Sequence, residues 1–132
     1  MKSNFLLFSV LLFSVFSYGQ TQGEMNQNAK SKYLKVDKEL NTAYQKILIE
    51  YKDDSTFIKN FKAAQRLWVQ FRDAEMKAKF PDREEGYYGS VQPMCWFVEM
   101  TILTNERLSK IKVWLTGVKE GDVCSGSVKT ID

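Results

Sequence analysis

The residues able to do chemistry fall into three groups. The first is the stretch Pro81 to Gln92 (PDREEGYYGSVQ), where Asp82, Arg83, Glu84 and Glu85 precede Tyr87, Tyr88, Gly89 and Ser90. Neighbouring carboxylates can serve as general acid and base. That work needs apolar walls to shift a pKa, and a wet, Gly-containing loop has none, so a solvated charge run is the simpler reading. Two adjacent tyrosines on such a loop instead make a contact surface at low entropy cost, and packing of one of them against the core is equally open. The second group flanks apolar seams. Asp37, Asn41 and Tyr44 share one helical face, Gln65 and Arg72 bracket Trp68, and Arg107 stands beside a third stripe. A carboxylate, amides, a phenol and two guanidiniums at one interface can satisfy one another in a network that sets helix register. A ligand site between helices and simple solvent exposure are the alternatives. The third group is the pair Cys95 and Cys124.

Composition narrows this further. The chain has 132 residues, which predicts one domain, with 19 Lys+Arg against 16 Asp+Glu for a net charge of +3. That balance is too mild for the basic footprint of a nucleic-acid binder. There is no histidine, so Ser-His-Asp, Cys-His and His-ligated zinc arrangements are excluded, and 2 cysteines cannot make a four-thiolate site. No Gly-rich phosphate loop or internal repeat is present. Nothing supplies a poised base, a metal or a nucleophile, so the reading is a non-enzyme without metal or cofactor.

The elements that must position these groups follow from the pattern. Met1-Lys2, the apolar run Phe5 to Phe16 and the small residues around Gly19 read as a signal peptide, residues 1–19, cleaved after Gly19. The run falls short of the ~20 residues needed to span a membrane, so no lasting anchor is expected. Loss of Lys2 leaves 19 − 1 − 16 = +2 on a single domain of residues 20–132. In an exported chain a Cys95–Cys124 disulfide is the default, with a redox pair as the weaker alternative because CxxC spacing is absent.

Ala29, Tyr33, Val36, Leu40, Ala43, Ile47 and Tyr51 step by three and four, as do Phe57, Phe61, Ala64, Trp68 and Phe71. Met94, Val98, Thr101, Thr104, Leu108, Ile111 and Leu115 form a third stripe, with Pro93 at its start and Gly117 at its end. The spacing predicts helices over about 25–52, 55–80 and 92–116 and a tail over 117–132 with a few strand-like residues but no sheet. The expected fold is all-α: an antiparallel three-helix bundle with a long loop between its second and third helices and a disulfide-tied C-terminal tail.

Four motifs in order now stand out: Asp37-x-x-Leu40-Asn41-x-x-Tyr44, Gln65-x-x-Trp68-x-x-Phe71-Arg72-Asp73, Gly89-Ser90-x-x-Pro93-Met94 and Leu103-Thr104-x-x-Arg107. Their order and spacing, from Met25 to Ile111, resemble the lysozyme inhibitor LprI-type N-terminal domain family of small exported bacterial helical proteins. The resemblance implies an exported helical domain, periplasmic or secreted. For the namesake branch it implies binding and inhibition of lysozyme. Members carry cysteines where this sequence has Asn28, Met76 and Glu99, so its cysteine framework differs from theirs.

Two functional expectations of different class result. One is an inhibitor of lysozyme or another muramidase, whose loop offers Arg83 as a bidentate donor, Tyr87 and Tyr88 for sugar subsites and Ser90 as a hydroxyl donor to the two carboxylates of a glycosidase cleft. A charge of +2 favours an acidic partner over the basic lysozymes of animals. The other is a structural or interaction module of the cell envelope, acting through its helix surfaces on another envelope protein.

Overall fold

A computed structural model describes residues 20–132, so the signal-peptide reading over residues 1–19 lies outside it. The described chain is a three-helix, mainly helical structure: α1 Gln22–Glu50, α2 Ser55–Lys79 and α3 Gln92–Thr116, followed by β1 Val118–Lys119 and β2 Thr130–Ile131. Each helix begins where its local chemistry directs. Thr21 and Glu24 form a reciprocal capping box on α1. Asp54 caps α2 by accepting from the Phe57 amide at 2.9 Å. Pro93 occupies the first turn of α3, where its missing N–H costs nothing.

Contacts at a nearly constant offset show that α1 and α3 lie side by side in the same direction. Asn26 reaches Ser90, Tyr33 stacks near Phe97, and Tyr51 bonds to Trp114. α2 runs the other way, with Phe57 beside Tyr51 and Trp114 at one end and Lys79 paired with Glu99 at the other. The backbones of α1 and α3 approach most closely, whereas α2 is seated mainly through large side chains. Between them lies a core in which Leu40, Ile47, Leu108 and Ile111 are almost fully buried. Phe57, Phe61, Tyr44, Tyr51 and Trp114 form its aromatic end.

The tail differs from expectation in two ways. First, it forms a small parallel sheet, with Val118 opposite Thr130 and Lys119 opposite Ile131. Second, Cys95 and Cys124 are free thiols, so the disulfide expectation is corrected. From Cys95 to Thr116 helix α3 rises about 32 Å at its usual 1.5 Å per residue. The short segment from Thr116 to Cys124 could cover that only by running back fully extended. Instead it folds into turns, closed by Asp122 N–H to Lys119 O and Ser125 N–H to Asp122 O, both at 3.2 Å, and stays at the C-terminal end of α3.

Other contacts tie the tail down. The Tyr51 hydroxyl donates to Trp114 O at 2.8 Å and accepts from the Lys129 amide at 3.0 Å. Trp114 Nε1 donates to Ser127 Oγ at 3.0 Å, and Lys129 pairs with Glu50 at 3.0 Å.

Candidate functional site

The connection between α2 and α3 is a built loop rather than a slack one. Gly86 (φ 82°) and Gly89 (φ 70°) occupy the left-handed region that their lack of a Cβ makes accessible. Tyr87 N–H bonds to Glu84 O at 3.2 Å and Gly89 N–H to Gly86 O at 3.0 Å, so two turns follow one another. These turns send the tyrosines in different directions. Tyr88 is the half-buried one: its hydroxyl donates to Pro81 O at 2.7 Å and its ring meets Phe80 edge-on at 5.9 Å. Tyr87 stays 59% exposed, perpendicular to Tyr88 at 4.9 Å. The Arg83 guanidinium lies over the outer tyrosine, 5.7 Å from the ring centroid. Among the described residues no carboxylate comes within 4.0 Å of Arg83, so the face of its fork is available. Ser90 is exposed and is held through its carbonyl, which accepts from Asn26 Nδ2 at 3.1 Å; this ties the loop to the start of α1.

The polar residues beside the seams do not form one network. They divide into two groups. Arg107 Nε donates to Gln65 Oε1 at 2.9 Å, linking α3 to α2. Burial lowers the Arg107 pKa from its ordinary value, and an amide oxygen rather than a carboxylate is its partner. The other group sets charges of α1 and α2 around Tyr33, with each bond made inside its own helix. Asn41 Nδ2 donates to Asp37 Oδ2 at 3.2 Å. Arg72 lies 5.3 Å from the Trp68 ring centroid and donates to Asp73 Oδ1 from Nε at 3.0 Å and from Nη2 at 2.8 Å. Tyr44 takes no part in this polar group and instead stacks on Phe61 at 5.4 Å.

Tyr33 and Asp73 belong to the second group and were not singled out as site residues in the sequence. Tyr33 fills a stripe position and reads as core, and Asp73 enters only as the last residue of the motif Gln65-x-x-Trp68-x-x-Phe71-Arg72-Asp73. Thr104 likewise fills a stripe position; it is fully buried, and its hydroxyl has no partner among the described residues, a cost to the fold.

Burial, and then the neighbouring Asp37 carboxylate, raise the Tyr33 pKa above its ordinary value. A raised folded-state value means that this contribution to stability is fully present below the unfolded tyrosine value of about 10 and is lost as pH rises through the folded value. Urea midpoints measured between neutral and strongly alkaline pH should therefore fall more steeply for the native chain than for Tyr33→Phe, with the two curves parallel below pH ~9. Parallel curves throughout would show that Tyr33 titrates alike in both states.

No cluster of three His, Cys, Asp or Glu able to hold a metal occurs among the described residues. No helix among them is long and apolar enough to cross a membrane. A family model described as "Lysozyme inhibitor LprI" matches residues 17–111, which takes in all three helix starts, the loop and both polar groups, and stops before the tail. No curated protein and no solved structure matches.

Proposed function

The chain belongs to the lysozyme inhibitor LprI family, and on that premise we propose that it is an exported protein-binding module that inhibits a muramidase by seating the loop Arg83 to Ser90 in the glycosidase cleft. The family is an inhibitor family rather than an enzyme family, which accords with the absence of histidine from the whole chain. The observation that carries the proposal is the placement of Arg83 over the exposed Tyr87 at the tip of a loop whose base is pinned. A muramidase cleft offers two carboxylates with sugar subsites on either side. A guanidinium fork pairs with a carboxylate through two parallel bonds, and a flat phenol fills the space of a sugar ring.

Pinning the loop matters to affinity. A slack loop loses freedom on binding, and that loss is subtracted from the interaction energy. Here the Tyr88 hydroxyl bond to Pro81 and the Asn26 bond to Ser90 have already fixed the base. Charge bears on the approach to the enzyme as a whole rather than on the contacts inside the cleft. The sequence as a whole is basic, but Glu84 and Glu85 against Arg83 give this loop −1, and Asp82 just before it brings the stretch to −2. The loop therefore presents the local complement of a basic lysozyme, even though the net charge does not.

The test is a titration of the protein against cell-wall hydrolysis by a basic animal lysozyme and by a bacterial muramidase, each at low and high salt. Inhibition near one-to-one stoichiometry is expected. Replacing both Arg83 and Tyr87 by Ala should weaken it at least about tenfold, in keeping with a pair of anchoring residues at an interface centre. Tyr88→Phe should weaken it less, by loosening the loop rather than removing a contact. A double variant that inhibits as well as the native chain would remove the loop from the proposal.

A further inference from the structure

The α1–α3 pair is covered by α2 on one side only. On another side a groove of about 490 Å3 runs along the seam between α1 and α3, and no residue of α2 lines it. Its floor includes Ala43 and Leu115, and Lys35, Lys38, Lys46 and Lys112 stand along it. With Glu39 as the one carboxylate in the lining, this patch alone carries +3, equal to the net charge of the entire sequence. Among the described residues none of the four lysines lies within 4.0 Å of a carboxylate. The charge excess of the chain is therefore concentrated on one flank and unpaired there, while the loop carries charge of the opposite sign.

We propose that this groove docks an acidic amphipathic helix of a partner protein, which would lie as a fourth helix against α1 and α3. Three observations select that occupant. Lys35 to Lys46 spans about 17 Å of α1, or three helical turns, which matches a facing helix with carboxylates repeated at three- and four-residue spacing. Ala43 is itself buried, but Leu115 and the lysine stems give the apolar face of such a helix something to cover, whereas an anionic polymer without apolar groups would leave them unused. The flexible lysine stems can lie along the docked helix while their ammonium groups meet its carboxylates. This surface is separate from the loop, so the proposal stands or falls independently of the muramidase reading.

The probe is a fluorescein-labelled synthetic peptide of about 18 residues, with leucines on one helical face and glutamates on the other. Its anisotropy is followed on titration with the protein at low and high salt. The comparison ligands are the same peptide with lysines in place of glutamates, polyglutamate, and phosphatidylglycerol vesicles. The expected result is micromolar binding of the acidic peptide that weakens with salt. K35Q/K38Q/K46Q/K112Q should lose at least about tenfold in affinity with its helical circular dichroism unchanged. The Arg83→Ala plus Tyr87→Ala variant should bind the peptide as the native chain does. K35E/K46E/K112E should exchange preference to the basic peptide. Three results would each overturn the proposal: no peptide binding at about 100 μM, equal binding by the quadruple Gln variant, or binding of polyglutamate or vesicles through the same lysines as tightly as the peptide.

Discussion

Replacing Phe61 by Ala is expected to lower stability by about 3–5 kcal/mol, a large part of the ~5–15 kcal/mol that holds a domain of this size. Phe61 is only 4% exposed and touches three other rings: Tyr44 at 5.4 Å, Phe57 at 5.2 Å and Trp114 at 5.6 Å. Those rings come from all three helices, so one side chain joins α2 to both members of the α1–α3 pair. The backbone of α2 makes no comparably close approach to α1, so the role is shared chiefly with Phe57, which meets Tyr51 at 4.8 Å and Trp114 at 5.9 Å. Tyr44 and Phe57 stack on Phe61 and Trp114 tilts against it, and such large rings refill only part of the space that its ring leaves, so a cavity cost adds to the lost transfer energy. The urea midpoint should fall by roughly 2 M, while Phe61→Leu, which keeps most of the volume, should cost less than about 1.5 kcal/mol. The loop hangs from the far end of α2, so the Ala variant should also weaken any inhibition that the loop produces. A loss below about 1 kcal/mol would show that α2 docks through its polar bonds instead.

How far the sequence could be read is clearest along α2. Its limits, Ser55–Lys79, agree with the spacing, because the Asp54 cap and the stop before Pro81 are local signals. Its inward face does not agree throughout. The apolar stripe places Phe71 inside, but Phe71 is 55% exposed, and Met76, off the stripe, is 1% exposed. The side chains that turn inward step by four, as Phe57, Phe61, Gln65 and as Trp68, Arg72, Met76, and each such step rotates the face by about 40°. An α2 lying obliquely across two neighbours requires that drift, and the neighbours are not visible in the α2 sequence. The loop tyrosines show the same limit. Residue type alone makes Tyr87 and Tyr88 equivalent, and only the turns at Gly86 and Gly89 decide that Tyr88 packs inward and Tyr87 faces out. The cysteines depart from expectation for a different reason. Pairing them by compartment ignored the length of α3 between them, which was already available from the stripe.

With no disulfide, the contacts that tie the tail down all depend on the turn at Gly117, and Gly117→Ala is expected to cost about 2–4 kcal/mol and to release residues 118–132. Gly117 ends α3 with φ 80° and ψ 175°, a region that an L side chain enters only with strain. Strain is the smaller part of the cost. A Cβ at Gly117 would stand 2.9 Å from the Lys129 carbonyl oxygen and 2.9 Å from Ile131 Cγ2. The carbonyl cannot swing aside, because it accepts the Val118 amide at 2.9 Å and so begins the pairing of β1 with β2. Moving it also draws the Lys129 amide away from the Tyr51 hydroxyl. The side-chain bond of Trp114 to Ser127 depends on the same placement of the tail. One methyl group thus opposes a sheet, a tyrosine bond and a tryptophan bond that all need the tail in one position. Limited trypsin digestion reads this directly: cleavage after Lys119 and Lys129 should quicken in the variant, with the helical signal of α1 to α3 retained. Tyr51→Phe should give a weaker version of the same pattern, since it removes the hydroxyl that bridges Trp114 and Lys129 but leaves the strands paired. Unchanged digestion in Gly117→Ala would mean that the tail can dock at a second position, and that the glycine serves only to end the helix.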